Sequence, residues 1–176
     1  MLNQPDSSDA ELVRAIKSED AAAFKALYFR YHDALYRFLW QRTHSVDLSK
    51  DFLQEVFTRL WQNRRNLDPA QSVKAYVYRI ANNLVIDALR KNAYKKSYLS
   101  RLSHRTRTSS EESIEVETSI RIALNNLPEK LRTVFMMSRY EGLTYSEIAE
   151  TCRISVKTVE SRMSRALQRL REELQR

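Results

Sequence analysis

Residues 144–166 read TYSEIAETCRISVKTVESRMSRA, and the fold turns on that stretch. Thr144-Tyr145-Ser146-Glu147 has the spacing of a capping box, in which a hydroxyl and a carboxylate three residues apart satisfy each other's backbone N–H groups, so a helix starts there. Residues 153–155 form a short turn, and Ser155 caps a second helix that runs to about Leu174. In that second helix Val156, Val159, Met163, Leu167, Leu170 and Leu174 recur at steps of three or four and are read as its buried stripe. Ile148, Ala149 and Cys152 are expected to pack against the stripe from the preceding helix, Cys152 as a small core residue. Two helices joined by a short turn, the second one basic, form the helix-turn-helix pattern.

The remaining circumference of the second helix carries chemistry suited to a DNA major groove. It displays Lys157, Thr158, Glu160, Ser161, Arg162, Ser164 and Arg165, with Ser155 at its cap. Arginine forks onto guanine O6 and N7, serine and threonine serve bases or phosphates, glutamate accepts from a cytosine amine, and lysine meets phosphate or guanine. Arg153 stands in the turn, where an L-residue with positive φ carries modest strain.

Outward from this point the chain stays helical. The sequence has 176 residues with one Gly and three Pro, too few turn residues for a sheet protein, so the fold class is all-α. Upstream of the motif, a short helix over 120–126 precedes one that begins at Pro128 and reaches Tyr140. Gly142 follows it, where a helix end needs positive φ. Residues 9–42 make one or two amphipathic helices with a break near Ser18-Glu19-Asp20. Ser45 or Asp47 caps the next, which runs to about Asn63 with Phe52, Val56 and Leu60 as its stripe and Leu53, Phe57 and Trp61 beside it. Arg64 to Pro69 is a loop, since Pro69 cannot continue a helix. A third strong helix spans 72–91. From Asn92 to about Thr118 the chain is polar, first basic and then acidic, and reads as an interdomain linker. The expected organisation is therefore two small helical domains, 9–92 and 119–176, joined by a flexible linker over 93–118.

Composition narrows the function. Thirty Lys and Arg against 22 Asp and Glu give a net charge of +8, which favours a polyanionic partner. No apolar run reaches the roughly 18 residues of a membrane span, and Met1 to Asp6 lacks the basic start and apolar core of a secretion signal, so no membrane insertion and a cytoplasmic location are expected. One cysteine allows no internal disulfide. His44, Asp51 and Glu55 do not make a metal site by spacing, and no nucleophile motif or Gly-rich phosphate loop is present. No metal, no cofactor and no enzymatic activity are expected.

The motif set resembles the bacterial sigma factors of the extracytoplasmic-function class. Residues 145–150 and 154–166 are similar to sigma region 4.2, and Leu127 to Phe135 resembles region 4.1. The C-terminal half alone also resembles LuxR-type regulators, which bind duplex operators without polymerase core; that is the alternative. Asp51-Phe52-Leu53-Gln54-Glu55-Val56-Phe57 with Leu60-Trp61 is similar to region 2.2, and Ala75 to Asp87 with Leu89-Arg90 resembles regions 2.3 and 2.4. The resemblance implies that Asp51, Gln54, Glu55 and Phe57 grip the β′ clamp helices of RNA polymerase core and that the second domain sits on the β flap. It implies that Lys74, Tyr76, Arg79, Asn82, Asn83 and Arg90 open promoter DNA at the −10 element and hold the freed strand, with Asn83 on a base edge. Rings that stack bases and cations that follow the backbone are the chemistry of single-strand binding. The loop 64–71 is the expected pocket for a flipped-out base. Ser155 to Arg165 would read the −35 element, and the family implies control by an anti-sigma factor.

Overall fold

A computed structural model describes residues 7–100 and 122–175, without the side chains of 92–100. All its regular elements are helices: α1 Asp9–Lys17, α2 Ala21–Thr43, α3 Val46–Gln62, α4 Val73–Ser100, α5 at 122–126, α6 Glu129–Arg139, α7 Tyr145–Cys152 and α8 Val156–Leu174, with a single 3-10 turn at Arg64–Asn66. The described residues group into two compact units that part between Ala88 and Leu89, Glu150–Cys152 being counted with the first.

In the first unit each helix begins on a side-chain cap. The Ser8 hydroxyl and Glu11 carboxylate close a capping box on α1, Asp20 accepts from Ala22 and Ala23 at the start of α2, and Ser45 accepts from Leu48 at the start of α3. The Ser72 hydroxyl accepts from Ala75 N–H and starts α4. Asp9 ties α1 to α2 through Arg30 at 2.6 Å and through the Tyr31 hydroxyl. Phe24 and Tyr28 of α2 meet Phe57 and Trp61 of α3, with centroids 4.6–6.3 Å apart. Farther along α2, Phe38 meets Tyr78 of α4 edge-on at 5.2 Å. Rings of this size each contribute about 1.5–3 kcal/mol when fully buried. This aromatic seam joins α2 to both α3 and α4.

The second unit is built on α8. Its Ala166 and Leu170 are buried with Ala123 and Leu127, and Leu124, Leu131 and Phe135 close over that cluster. Asn126 Nδ2 donates to Glu173 Oε1 at 2.7 Å. Helix α6 ends where Gly142 takes φ 61°, the Leu143 N–H returning to the Met137 carbonyl.

Three expectations change. The stripe of α8 is Val159, Met163, Ala166 and Leu170, while Val156, Leu167 and Leu174 are 42, 38 and 50 % exposed. At 100° per residue those three lie about 50–70° to one side of the stripe's centre, and Ala166 lies on it. On α3, Leu53 is buried where Phe52 was expected, with Phe52 only half-buried. Helix α4 continues to Ser100 instead of stopping near Lys91, because residues 92–100 contain neither Pro nor Gly to end it. The linker expected over 93–118 lies outside the described residues from 101 onward.

Candidate nucleic-acid interface

The turn between α7 and α8 is set by local chemistry. Thr144 and Glu147 form the capping box reciprocally, the Thr144 N–H donating to Glu147 Oε2 at 2.8 Å and the Glu147 N–H donating to the Thr144 hydroxyl at 3.2 Å. Arg153 takes φ 54°, as the turn requires, and the Ile154 N–H returns to the Ala149 carbonyl at 3.0 Å. Ser155 caps α8 by accepting from the Thr158 N–H at 3.1 Å, with its hydroxyl also 2.8 Å from that of Thr158.

This start fixes the rotation of α8. With Val159, Met163 and Ala166 turned inward, Lys157, Glu160, Ser161, Ser164 and Arg165 are all exposed. By the helical angle they share the face opposite the buried stripe. Thr158 and Arg162 flank that face and are half-buried. The face mixes two cations, one carboxylate and two hydroxyls, so it can read base edges as well as hold phosphate.

A second polar face lies on α4. Tyr76, Arg79, Asn83 and Arg90 fall within about 60° of one another around the helix axis. The Arg79 guanidinium lies 5.1 Å from the Tyr76 ring centroid, a stacked pair that extends a flat surface for an unpaired base. The Tyr76 hydroxyl accepts from Asn63 Nδ2 at 2.9 Å, so the ring is held by the segment that follows α3.

Two residues expected on this face are elsewhere. Asn82 is 2 % exposed, and its Oδ1 accepts from the equally buried Arg42 at 2.6 Å. It is a core hydrogen-bonding residue and cannot meet a base in this arrangement. Lys74 starts α4 about 180° away from Asn83 and is half-buried.

The loop after α3 is a built structure. Asn66 Nδ2 donates to Asn63 Oδ1 at 2.8 Å, Asp68 accepts from the Ala70 N–H at 2.9 Å, and Leu67 is buried. Arg64 lies 4.6 Å from the Trp61 ring centroid. Each of these ties joins residues no more than three apart in the chain.

On α3, Asp51 and Gln54 are exposed and Glu55 is half-buried, all on the side opposite the stripe. Glu55 Oε1 accepts from Arg59 Nε at 2.6 Å, so an incoming cation competes with Arg59 for it. Phe57 corrects the fourth expectation: it is 4 % exposed and packs on Tyr28 with centroids 4.6 Å apart. It lies at the edge of the buried stripe of α3, where Tyr28 covers it, and its contribution to any docking face is to hold α3 in place. Phe24, Tyr28, Phe57 and Trp61 also wall an open groove between α2 and α3, rimmed by Lys50, Gln54 and Thr58. Among the described residues no His, Cys, Asp or Glu group is arranged to hold a metal ion, and no helix is long and apolar enough to cross a membrane.

Comparison with known proteins places these faces in context. Residues 27–94 match the family described as Sigma-70 region 2, and residues 118–170 match Sigma-70, region 4. Among curated relatives, the ECF RNA polymerase sigma factor SigW of Bacillus subtilis is 28 % identical, over 92 % of this chain and 94 % of its own. The ferric citrate uptake sigma factor FecI of Escherichia coli is 29 % identical over 82 % of this chain and 87 % of its own. Among solved structures, CnrH in complex with the cytosolic domain of CnrY superposes with a TM-score of 0.74 at 24 % identity, covering 96 % of this chain and 98 % of that one. The sigma factor RpoE of Bartonella quintana, in complex with the anti-sigma factor NepR, gives a TM-score of 0.71 at 23 % identity, covering 86 % of this chain and 96 % of that one. Both share the fold described above.

Proposed function

The chain belongs to the sigma-70 family, in its extracytoplasmic-function (ECF) group, and from that premise we propose that it binds RNA polymerase core, selects promoters, opens them and starts transcription. The observation that carries this reading is the pairing of two unlike polar faces on one chain. The α8 face suits the major groove of duplex DNA, and the α4 face, with its Arg79–Tyr76 stack, suits unpaired bases. A LuxR-like regulator needs only the first.

The boundaries we assign are 9–92 for the −10 and core-binding domain, 93–118 for the linker and 119–176 for the −35 domain. In the first domain, Asp51, Gln54 and Glu55 dock on the β′ clamp helices. Tyr76, Arg79, Asn83 and Arg90 then take the separated strand, Tyr76 by stacking, the arginines along phosphate and Asn83 at a base edge. The loop 64–71 receives a base turned out of the stack, whose unstacking costs a few kcal/mol. In the second domain, which sits on the β flap, Lys157, Glu160, Ser161, Ser164 and Arg165 read the −35 element, with Ser155, Thr158 and Arg162 at its margin. The chain supplies recognition and strand capture; bond formation belongs to the polymerase. It works where polymerase works, in the cytoplasm, and an anti-sigma factor restrains it, as the co-structures of CnrH and RpoE with CnrY and NepR suggest by analogy.

The test is complex formation with purified bacterial core polymerase on gel filtration. The wild-type chain is expected to co-elute, and reversal of charge in Asp51→Lys with Gln54→Lys is expected to abolish co-elution while helix content is unchanged. Failure of the wild-type chain to bind core sinks the reading.

A further inference from the structure

We infer that Glu19, in the elbow between α1 and α2, is a positioning residue for the loop 63–71, and through it for base selection at the −10 element. The inference rests on the −10 reading given above and adds a control point outside every motif that carries it.

The elbow is three residues long. The Glu19 N–H donates to the Ile16 carbonyl at 2.9 Å and the Asp20 N–H to the Ala15 carbonyl at 3.1 Å, which is the hydrogen-bond pattern of a Schellman helix end. That pattern puts the residue at position 19 in the left-handed region, and Glu19 has φ 67°. Glycine suits such a position best, because a Cβ is strained there. Glutamate supplies what glycine lacks, a carboxylate at the tip of the turn.

That carboxylate holds two cations of the neighbouring loop. Glu19 Oε1 accepts from Arg64 Nη2 at 2.7 Å and from Arg65 Nη2 at 2.8 Å. The same elbow makes a second tie, Lys17 Nζ donating to the Leu67 carbonyl at 2.5 Å. Arg64 is oriented from its other side as well: its Nη1 donates to the Trp61 carbonyl at 2.9 Å, and its side chain is only 18 % exposed. The first residue of the loop, Asn63, donates through Nδ2 to the Tyr76 hydroxyl on the α4 face. A continuous set of contacts therefore runs from Glu19 through Arg64 and Asn63 to the ring expected to stack on the opened strand.

Without Glu19, Arg64 and Arg65 have no carboxylate to hold them beside the −10 face, and nearby phosphate becomes their competing partner. The loop then loses the geometry that separates one turned-out base from another, while non-specific attraction to DNA persists. Specificity falls before affinity does.

The experiment is transcription selection with holoenzyme, made from core polymerase and the full chain, on a promoter library randomised at both elements. Glu19→Gly suits the left-handed backbone, so its unfolding temperature should equal or exceed that of the wild type, and Glu19→Gln keeps an acceptor without the charge. The expected result is a loss of base preference at one −10 position by roughly three- to tenfold in Glu19→Gly, a smaller loss in Glu19→Gln, and an unchanged −35 preference. An unchanged −10 preference overturns the inference. So does a parallel loss at both elements together with a lowered unfolding temperature, which marks a merely structural role. A wild-type holoenzyme with no −10 preference defeats the −10 reading itself, and the positioning role with it.

Discussion

Arg42 Nη1 donates to Asn82 Oδ1 at 2.6 Å, joining the last turn of α2 to the middle of α4 by a bond closed to solvent at both ends. The Arg42 guanidinium also lies 5.3 Å from the Phe38 ring centroid, so the cation is stacked as well as bonded. Asn83, the next residue along α4, is half-buried. One residue of helical rotation, about 100°, separates this core amide from the one proposed to meet a base.

Arg42→Met should therefore destabilise the first unit by about 2–4 kcal/mol, because it strands the buried Asn82 carbonyl and opens space beside Phe38. Thermal unfolding measures it. The double variant with Asn82→Leu should recover part of that loss by removing both polar partners. Asn83→Ala, in contrast, should leave the unfolding temperature almost unchanged and lower promoter opening.

Phe57→Ala should cost about 3–5 kcal/mol of stability by emptying the seam between α2 and α3. Asp51→Ala and Gln54→Ala should change stability by no more than about 0.5 kcal/mol and weaken binding to core polymerase. Denaturant titration beside a core-binding assay separates the two classes.

Arg165→Ala should cost about 1–3 kcal/mol at the cognate −35 sequence and relax preference at one base pair, whereas Lys157→Ala should weaken binding to all sequences and reduce the salt slope by about one. Binding of −35 duplexes at several salt concentrations tests both.

Arg65 and then Arg64 hold the Glu19 carboxyl below the usual glutamate range. A carboxyl lowered on folding stabilises the folded state fully above its unfolded value and loses that contribution as pH falls through the folded one. The difference in unfolding temperature between wild type and Glu19→Gln should therefore persist above about pH 5 and shrink as the solution is acidified below that. A difference that grew on acidification would contradict the ion pairs.

Much of this molecule is legible from local chemistry. Thr144 with Glu147, Ser155, Ser45 and Gly142 each act within one turn of chain, and spacing alone finds them. The strain at Arg153 is likewise a property of the turn. What local reading missed depends on neighbours distant in sequence. Phe57 looks like part of a docking motif until Tyr28 covers it, and Asn82 looks like its neighbour Asn83 until Arg42, forty residues away, takes its oxygen. Lys74 sits in the right segment on the wrong side of the helix. The Glu19 clamp was invisible for the same reason: only the break in the helical pattern at residues 18–20 marked the place, and nothing local named Arg64 or Arg65 as its partners. On α8, Ala166 outranks Leu167 in the core because position on the helix decides burial before side-chain size does.

The central claim is that this chain makes core polymerase start at promoters bearing both elements, and run-off transcription from a promoter library with purified core tests it most directly. Initiation that depends on the added protein, selects related −35 and −10 sequences, and is lost in Asn83→Ala and Arg165→Ala is the predicted result. Binding of duplex sites by the protein alone, with no initiation from core, would contradict it and leave a helix-turn-helix regulator in its place.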